Sequence, residues 1–452
     1  MNKSEDRDIG IIKRSWKLVV NEKKDKTISK SYRNWKDYSD FELEITKGTG
    51  QDYSVDLIHS PAGEVHEIMH FPFNELELNN ALKDIQIALL EPIEGKRQIV
   101  PYEEKTIREF GKKLFDALIT GEIHSCYNVS LREAAQKGMG LRIKLRINPP
   151  ELTSLPWEFL FDPHHGDYIS LCNNTPIVRY LELPQSISPL AIDPPLRILG
   201  MVASPDDRIP LDINLEKQRI EEALSTLKEQ GLVDITWLPG QTWEDLQQAM
   251  RTGTWHVFHF IGHGGYDRNA DEGLIALSDS GGQSCLLTAT QLGRFLAGHN
   301  SLKLVLLNSC EGAKGGTRDI FSSTASILVR RGIPAVLAMQ YKITDRAAIG
   351  FARSFYLALA DGMPVDVAVA EARIALSVSL TNTLEWGTPV LYMRSPDGVL
   401  FKIKKRSISS IFRKRKQKED MKETQTKANY CTECGQQTEN EMIYCTQCGN
   451  LL

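Results

Sequence analysis

Two apolar runs, each breaking abruptly into a reactive side chain, constrain this chain more than any other feature: His256-Val-Phe-His-Phe-Ile-Gly-His-Gly-Gly265 and Val305-Leu-Leu-Asn-Ser-Cys-Glu-Gly312. Trp255–Ile261 and Leu302–Leu307 read as buried strands. Near-continuous apolar strands belong in a parallel sheet covered on both faces. In open α/β sheets, ligands bind just beyond the carboxyl ends of the strands. His263 and Cys310 both fall where such a strand stops.

At 452 residues the chain is too long for one ordinary domain, and two or three are expected. Apolar residues at 41% and charged residues at 25% describe a soluble globular protein with an ample core. No apolar stretch approaches the ~20 residues of a membrane helix, and the first residues carry no signal-peptide core. The expected compartment is the cytoplasm. Of eight cysteines, four form two CxxC pairs near the C-terminus, leaving Cys126, Cys172, Cys285 and Cys310. In a reducing cytosol these are thiols or metal ligands, not disulfides.

The fold class read from the pattern is α/β, a doubly wound and mostly parallel sheet, preceded by a smaller α+β region and followed by a small zinc ribbon. Residues 1–38 read as a charged, flexible N-terminus and 39–190 as the α+β lead-in. Within the lead-in, 39–75 alternates as a small antiparallel sheet, Asn80–Glu91 and Thr106–Leu118 have helical spacing, and Gly140–Asn148 alternates as a half-buried strand. From Leu196 strands and helices take turns. Strands are expected at Arg197–Ala203, Val233–Leu238, 255–261, 302–307, Ala335–Gln340 and Thr388–Met393. Helices separate them, including Leu215–Glu229 and Thr344–Asp361. The core is placed at 191–401, a basic linker at 402–428 and the ribbon at 429–452.

A thiol is a strong nucleophile near neutral pH once something takes its proton, and histidine is the usual partner. Cys310 is the candidate nucleophile and His263 its general base. Gly264 lets its backbone N–H approach a developing oxyanion, with the N–H of Cys310 as second donor. Taken singly, such a cysteine or histidine is more often plain core. Two together, on separate apolar strands with glycines beside both, reverse that reading, and caspases also place the histidine about 50 residues before the cysteine. A metal reading of the histidines fails on spacing. On an extended strand His259 and His263 lie roughly 13 Å apart, too far to share a zinc. His259 reads instead as a buried residue with a hydrogen-bonded ring. Trp157 and Glu158 receive no chemistry.

These residues resemble the CHAT family of caspase-like bacterial proteins, in the wider clan of caspases, metacaspases and separases. His259-Phe-Ile-Gly-His-Gly264 and Leu307-Asn-Ser-Cys-Glu-Gly312 resemble its histidine and cysteine motifs. Gly332–Gln340, Thr344-Asp345, Phe351–Leu359 and Trp386-Gly-Thr-Pro-Val390 resemble the segments that follow. Leu155-Pro-Trp-Glu-Phe-Leu-Phe-Asp162 and Pro176-Ile-Val-Arg-Tyr180 resemble its lead-in. The resemblance implies a cysteine endopeptidase cutting a protein substrate, in regulated proteolysis in a bacterial cell, with His263 as base and Cys310 as nucleophile. The caspase string Q-A-C-[RQG]-G is not matched. Asn308 stands where metacaspases carry an aspartate that binds a basic substrate side chain. Asp267 and Glu311 are candidates for orienting the imidazole or lining a pocket.

Cys431-Thr-Glu-Cys434 and Cys445-Thr-Gln-Cys448, each followed by glycine, read as a tetrahedral four-thiolate zinc site, structural and closed. One zinc per chain is expected, with no cofactor for catalysis. The linker is strongly basic: residues 402–427 hold eleven Lys/Arg against three acidic residues, a net +8 within a chain of −4. Two alternatives stay open, a catalytically silent caspase-like scaffold and nucleic-acid binding through linker and ribbon. The linker lacks interleaved aromatics for base stacking. A docking partner for the ribbon is the remaining expectation.

Overall fold

The strands expected from Leu196 onward form one half of a sheet, and the helices between them cover its two apolar faces. The structure, a computed structural model, describes residues 37–90, 102–184, 187–309, 322–380 and 384–404, apart from 268, 270 and 342, with short pieces between 429 and 449. The flexible N-terminus and the basic linker of the sequence reading fall almost wholly outside these residues. The chain divides into two units, 1–403 and 404–452.

In the first unit the lead-in supplies β1 (Tyr38–Lys47), β2 (Asp52–His59), β3 (Val65–His70), β4 (Gly140–Ile147) and β5 (Ile177–Tyr180), with helices α1 (Glu75–Leu90), α2 (Tyr102–Leu118) and α3 (Gly121–Gln136). The rest supplies β6 (Leu196–Val202), β7 (Val233–Trp237), β8 (Val257–Asp267), β9 (Glu272–Ser278), β10 (Ser284–Thr288), β11 (Leu304–Ser309), β12 (Ala335–Met339) and β13 (Pro389–Met393). Its helices are α4 (Ile213–Glu229), α5 (Trp243–Thr252), α6 (Ala289–Leu296), α7 (Ser322–Arg330), α8 (Asp345–Ala360) and α9 (Val365–Ser379). Among the described residues one 13-stranded sheet runs β7-β6-β8-β11-β12-β13-β5-β4-β1-β2-β3, with β9 on β8 and β10 on β9. The six strands expected after Leu196 are its β6, β7, β8, β11, β12 and β13. β13 runs antiparallel to β12, while β6, β7, β8, β11 and β12 are mutually parallel.

Alternation along each central strand sends neighbours to opposite faces. Ile198, Val257, Leu304, Leu306 and Leu337 join one cluster with Leu224 of α4, Phe351 and Phe355 of α8 and Ala368 of α9. Leu199, Phe258, Phe260, Val305, Leu307 and Val336 join the other with Leu246 of α5, Leu292 of α6 and Leu328 of α7. Both faces are therefore dry, which is why the strand sequences are continuously apolar. The helices begin where side chains can cap them: Asp212 accepts from Leu215 N, Thr242 from Asp245 N and Thr344 from Ala347 N.

The lead-in extends this sheet instead of forming one of its own. β1 to β3 are antiparallel as read, but β1 pairs parallel with β4, β4 with β5, and β5 with β13. β4 also departs from the half-buried reading, because its charged face is buried too. Arg142 Nε donates to Asp366 of α9 at 2.6 Å and its Nη1 to Asp40 at 3.1 Å; Lys144 Nζ reaches Asp40 at 2.7 Å. Burial opposes the charge on Arg142, but Asp366 and Asp40 outweigh it and raise its pKa. Partners on β1 and α9 let cations occupy an interior position.

Candidate active site

β8 changes partners at His263. From Val257 to Gly262 it lies parallel to β11, with Ile261 opposite Asn308 and Gly262 opposite Ser309. From His263 to Asp267 it lies antiparallel to β9, with His263 opposite Ala276 and Gly264 opposite Ile275. His263 thus sits where the parallel sheet ends within a strand that continues, not beyond a strand terminus. The turn back into β9 supplies the pairing that extends it. Gly262 is required by packing, since a Cβ there would stand 2.6 Å from the Phe260 ring and 3.0 Å from the Ala203 carbonyl oxygen. β11 ends at Ser309, and Cys310, the next residue, lies outside the described residues.

The His263 side chain is 3% exposed, and its Nε2 lies 2.8 Å from the carbonyl oxygen of Ile209 in the loop after β6. A carbonyl oxygen only accepts, so Nε2 carries the proton and Nδ1 is left with its lone pair. Burial lowers the His263 pKa, the Ile209 carbonyl pushes it back up, and the charge of Arg208 lowers it further. The net direction is down, so the ring is neutral near pH 7 and can take a proton. The group that orients it was not foreseen. Asp267, a candidate for that role, accepts the backbone N–H of Asn269 at 2.8 Å. A main-chain carbonyl has no residue type to betray it in sequence.

The neighbouring histidines are structural. His259 is 1% exposed and shares a hydrogen bond with the Tyr356 hydroxyl of α8 at 3.0 Å through Nδ1, while its Nε2 is buried without a partner. His256 Nδ1 accepts the Arg197 backbone N–H at 3.0 Å, and burial pulls its pKa down to about 4. Among the described residues no group of three or more His, Cys, Asp or Glu stands together as metal ligands. Of the zinc candidates, Cys434 and Cys448 lie in exposed turns, whereas Cys431 and Cys445 fall outside the described residues. No helix among the described residues is long and apolar enough to cross a membrane.

The lead-in motif residues meet at the edge of this region. Trp157 is core, its Nε1 donating to Leu152 O at 2.8 Å. Glu158 is buried and takes two bonds from Arg179, at 3.1 and 2.7 Å. Gln340, which follows β12, donates to Glu158 at 3.2 Å and to Gly387 O at 2.9 Å. The two lead-in motifs are therefore halves of one buried ion pair, bonded to the segment that leaves β12.

The family model described as "CHAT domain" matches residues 108–394. No curated protein matches the chain. Among solved structures it is similar to a chain of the Saccharomyces cerevisiae separase–securin complex, at TM-score 0.42 and 13% identity over 81% of this chain and 31% of that one. It is also similar to the Porphyromonas gingivalis RgpB pro- and mature domains, at TM-score 0.37 and 10% identity over 73% and 77% of the two chains. The Drosophila initiator caspase Dronc follows at TM-score 0.29 and 11% identity, over 50% of this chain and 94% of that one. The chain thus spans less than a third of the separase-complex chain.

Proposed function

This chain belongs to the CHAT domain family, and from that membership we propose that it is a caspase-like cysteine endopeptidase that cuts a protein substrate. Cys310 is the nucleophile and His263 the general base. One observation carries the reading: the parallel register sets Ser309 opposite Gly262, the residues that immediately precede Cys310 and His263. The Ile209 bond adds to it by leaving Nδ1 as the basic nitrogen.

In the reaction, His263 Nδ1 takes the Cys310 thiol proton and the thiolate attacks the scissile carbonyl carbon. The backbone N–H groups of Gly264 and Cys310 receive the oxyanion. The imidazolium returns its proton to the leaving amine, which departs as the acyl-enzyme forms. Water, deprotonated by the same nitrogen, then releases the acid and restores the thiol. The Ile209 carbonyl stabilises the imidazolium at each stage without itself accepting a proton. In a bacterial cell such an enzyme serves regulated proteolysis.

The test is alkylation followed residue by residue with mass spectrometry. Iodoacetamide labels Cys310 faster than Cys126, Cys172 or Cys285, and His263→Ala slows that labelling near pH 7. Burial pushes the Cys126 thiol pKa up, which sharpens the contrast. Equal labelling of all four thiols, unmoved by the histidine substitution, overturns the assignment. Comparing proteins cleaved by the wild type and by Cys310→Ala then reads out the substrate.

For the second unit we propose one structural zinc held by Cys431, Cys434, Cys445 and Cys448. The donor set suits it: the first CxxC lies in the link between paired Asn429–Tyr430 and Gln437–Thr438, and Gly449 has a φ of +74 just after Cys448. Bound there, zinc supplies folding energy and no open coordination site.

A further inference from the structure

The Ile209 carbonyl that orients His263 belongs to a loop with little packing of its own, and the Ile209 side chain is 45% exposed. Something else must hold that oxygen in place. The loop closes on itself through Leu211 N, which donates to Ser204 Oγ at 2.8 Å, while Ser204 N donates to Gln241 Oε1 at 2.7 Å. Its tip is fastened to the far side by the β9–β10 hairpin. Asp206 N donates to Gly282 O at 2.8 Å. Asp207 Oδ1 accepts from both Ser284 N, at 2.9 Å, and Ser284 Oγ, at 2.6 Å. Arg208 Nε in turn donates to Ser284 Oγ at 3.0 Å. The hairpin turn is itself rigid, with Asp279 Oδ1 accepting from Gly281 N and Gln283 N at 2.8 and 2.9 Å.

The same hairpin therefore grips the base twice. β9 pairs with the His263 main chain, and the start of β10 holds the loop whose carbonyl meets the His263 ring. We propose that Asp207 and Ser284 are positioning residues for the catalytic base: their bond keeps the Ile209 carbonyl on Nε2 of His263 and so keeps Nδ1 as the basic nitrogen. This rests on the reading of His263 as the base. The Asp207 carboxyl is exposed, and the Ser284 hydroxyl holds it below its usual pKa range, so it stays ionised as an acceptor near pH 7. Exposed polar bonds of this kind contribute little to global stability. Their loss should therefore register in the chemistry and not in the melting temperature.

The experiment uses the full chain and iodoacetamide as the probe, with a thermal melt of each variant. Asp207→Ala and Ser284→Ala are expected to slow Cys310 alkylation at pH 7 roughly 10-fold, a fraction of what a general base contributes, with Tm unchanged. Asp207→Asn keeps an acceptor oxygen for Ser284 and is expected to restore most of the rate. Slowing by His263→Ala with none from Asp207→Ala or Ser284→Ala overturns the clamp and leaves the base in place. A fall in Tm that matches the fall in rate overturns it too, by making the bond a folding element. If His263→Ala leaves alkylation unchanged, the dyad fails and the clamp fails with it.

Discussion

His259 shows how a catalytic-looking residue becomes a stability element. It lies four positions before His263 on the same face of β8, yet its ring is enclosed by the sheet and α8 and shares its hydrogen bond with Tyr356. Burial alone pulls its pKa down to about 3. The folded state then binds fewer protons than the unfolded chain below the ordinary histidine value of about 6.5. Stability from this group is complete above that value and is lost as pH falls from about 6.5 towards about 3, by about 1.4 kcal/mol per pH unit. Urea denaturation at stepped pH should show this slope, and His259→Gln, which cannot take the charge, should reduce it, the remainder coming from His256, whose pKa burial also lowers. His263 differs in having a carbonyl at Nε2, which favours the protonated form that the proposed mechanism visits. Two histidines on one strand thus separate by what their second nitrogen meets.

At the scale of elements, the lead-in is joined to the α/β core by buried charge. Glu158 and Arg179 are each 3% exposed in the side chain, and Gln340 Nε2 adds a further donor to the Glu158 carboxylate. Removing one partner strands the other in a dry interior, which costs about 3–5 kcal/mol, whereas removing both costs far less. Arg179→Ala should therefore lower the urea midpoint sharply, and Arg179→Met combined with Glu158→Gln should recover much of it. Equal losses from single and double variants would show that packing around Trp157 and Phe159, not the ion pair, joins these elements. The Arg142–Asp366 pair joins β4 to α9 by the same physics.

The whole molecule separates into the 1–403 and 404–452 units, and their stabilities come from different sources. The first has two apolar clusters around a continuous sheet. For the second, short unit, the zinc proposed above would supply the folding energy. Purified protein is expected to contain about one zinc per chain, and truncation after residue 428 to remove it without changing the Tm of the larger unit or the alkylation rate of Cys310. Zinc retained by the truncated chain would place the metal in the first unit instead.

Local patterns foretold the central strands and the helix capped by Thr344, because period and punctuation are written into consecutive residues; they did not foretell that the strand carrying His263 continues past it. They could not tell that β5 would pair with β13 and make the lead-in part of the same sheet, since backbone hydrogen bonding is blind to residue type. Nor could they pair Arg142 with Asp366, which lies 224 positions away. The alternation of β4 was legible, but what covers its charged face was not. The positions of the proposed dyad are read from the sequence. The carbonyl of Ile209, the hairpin that holds it and the nitrogen it leaves basic are properties of the fold, because each depends on main-chain atoms brought together from distant segments.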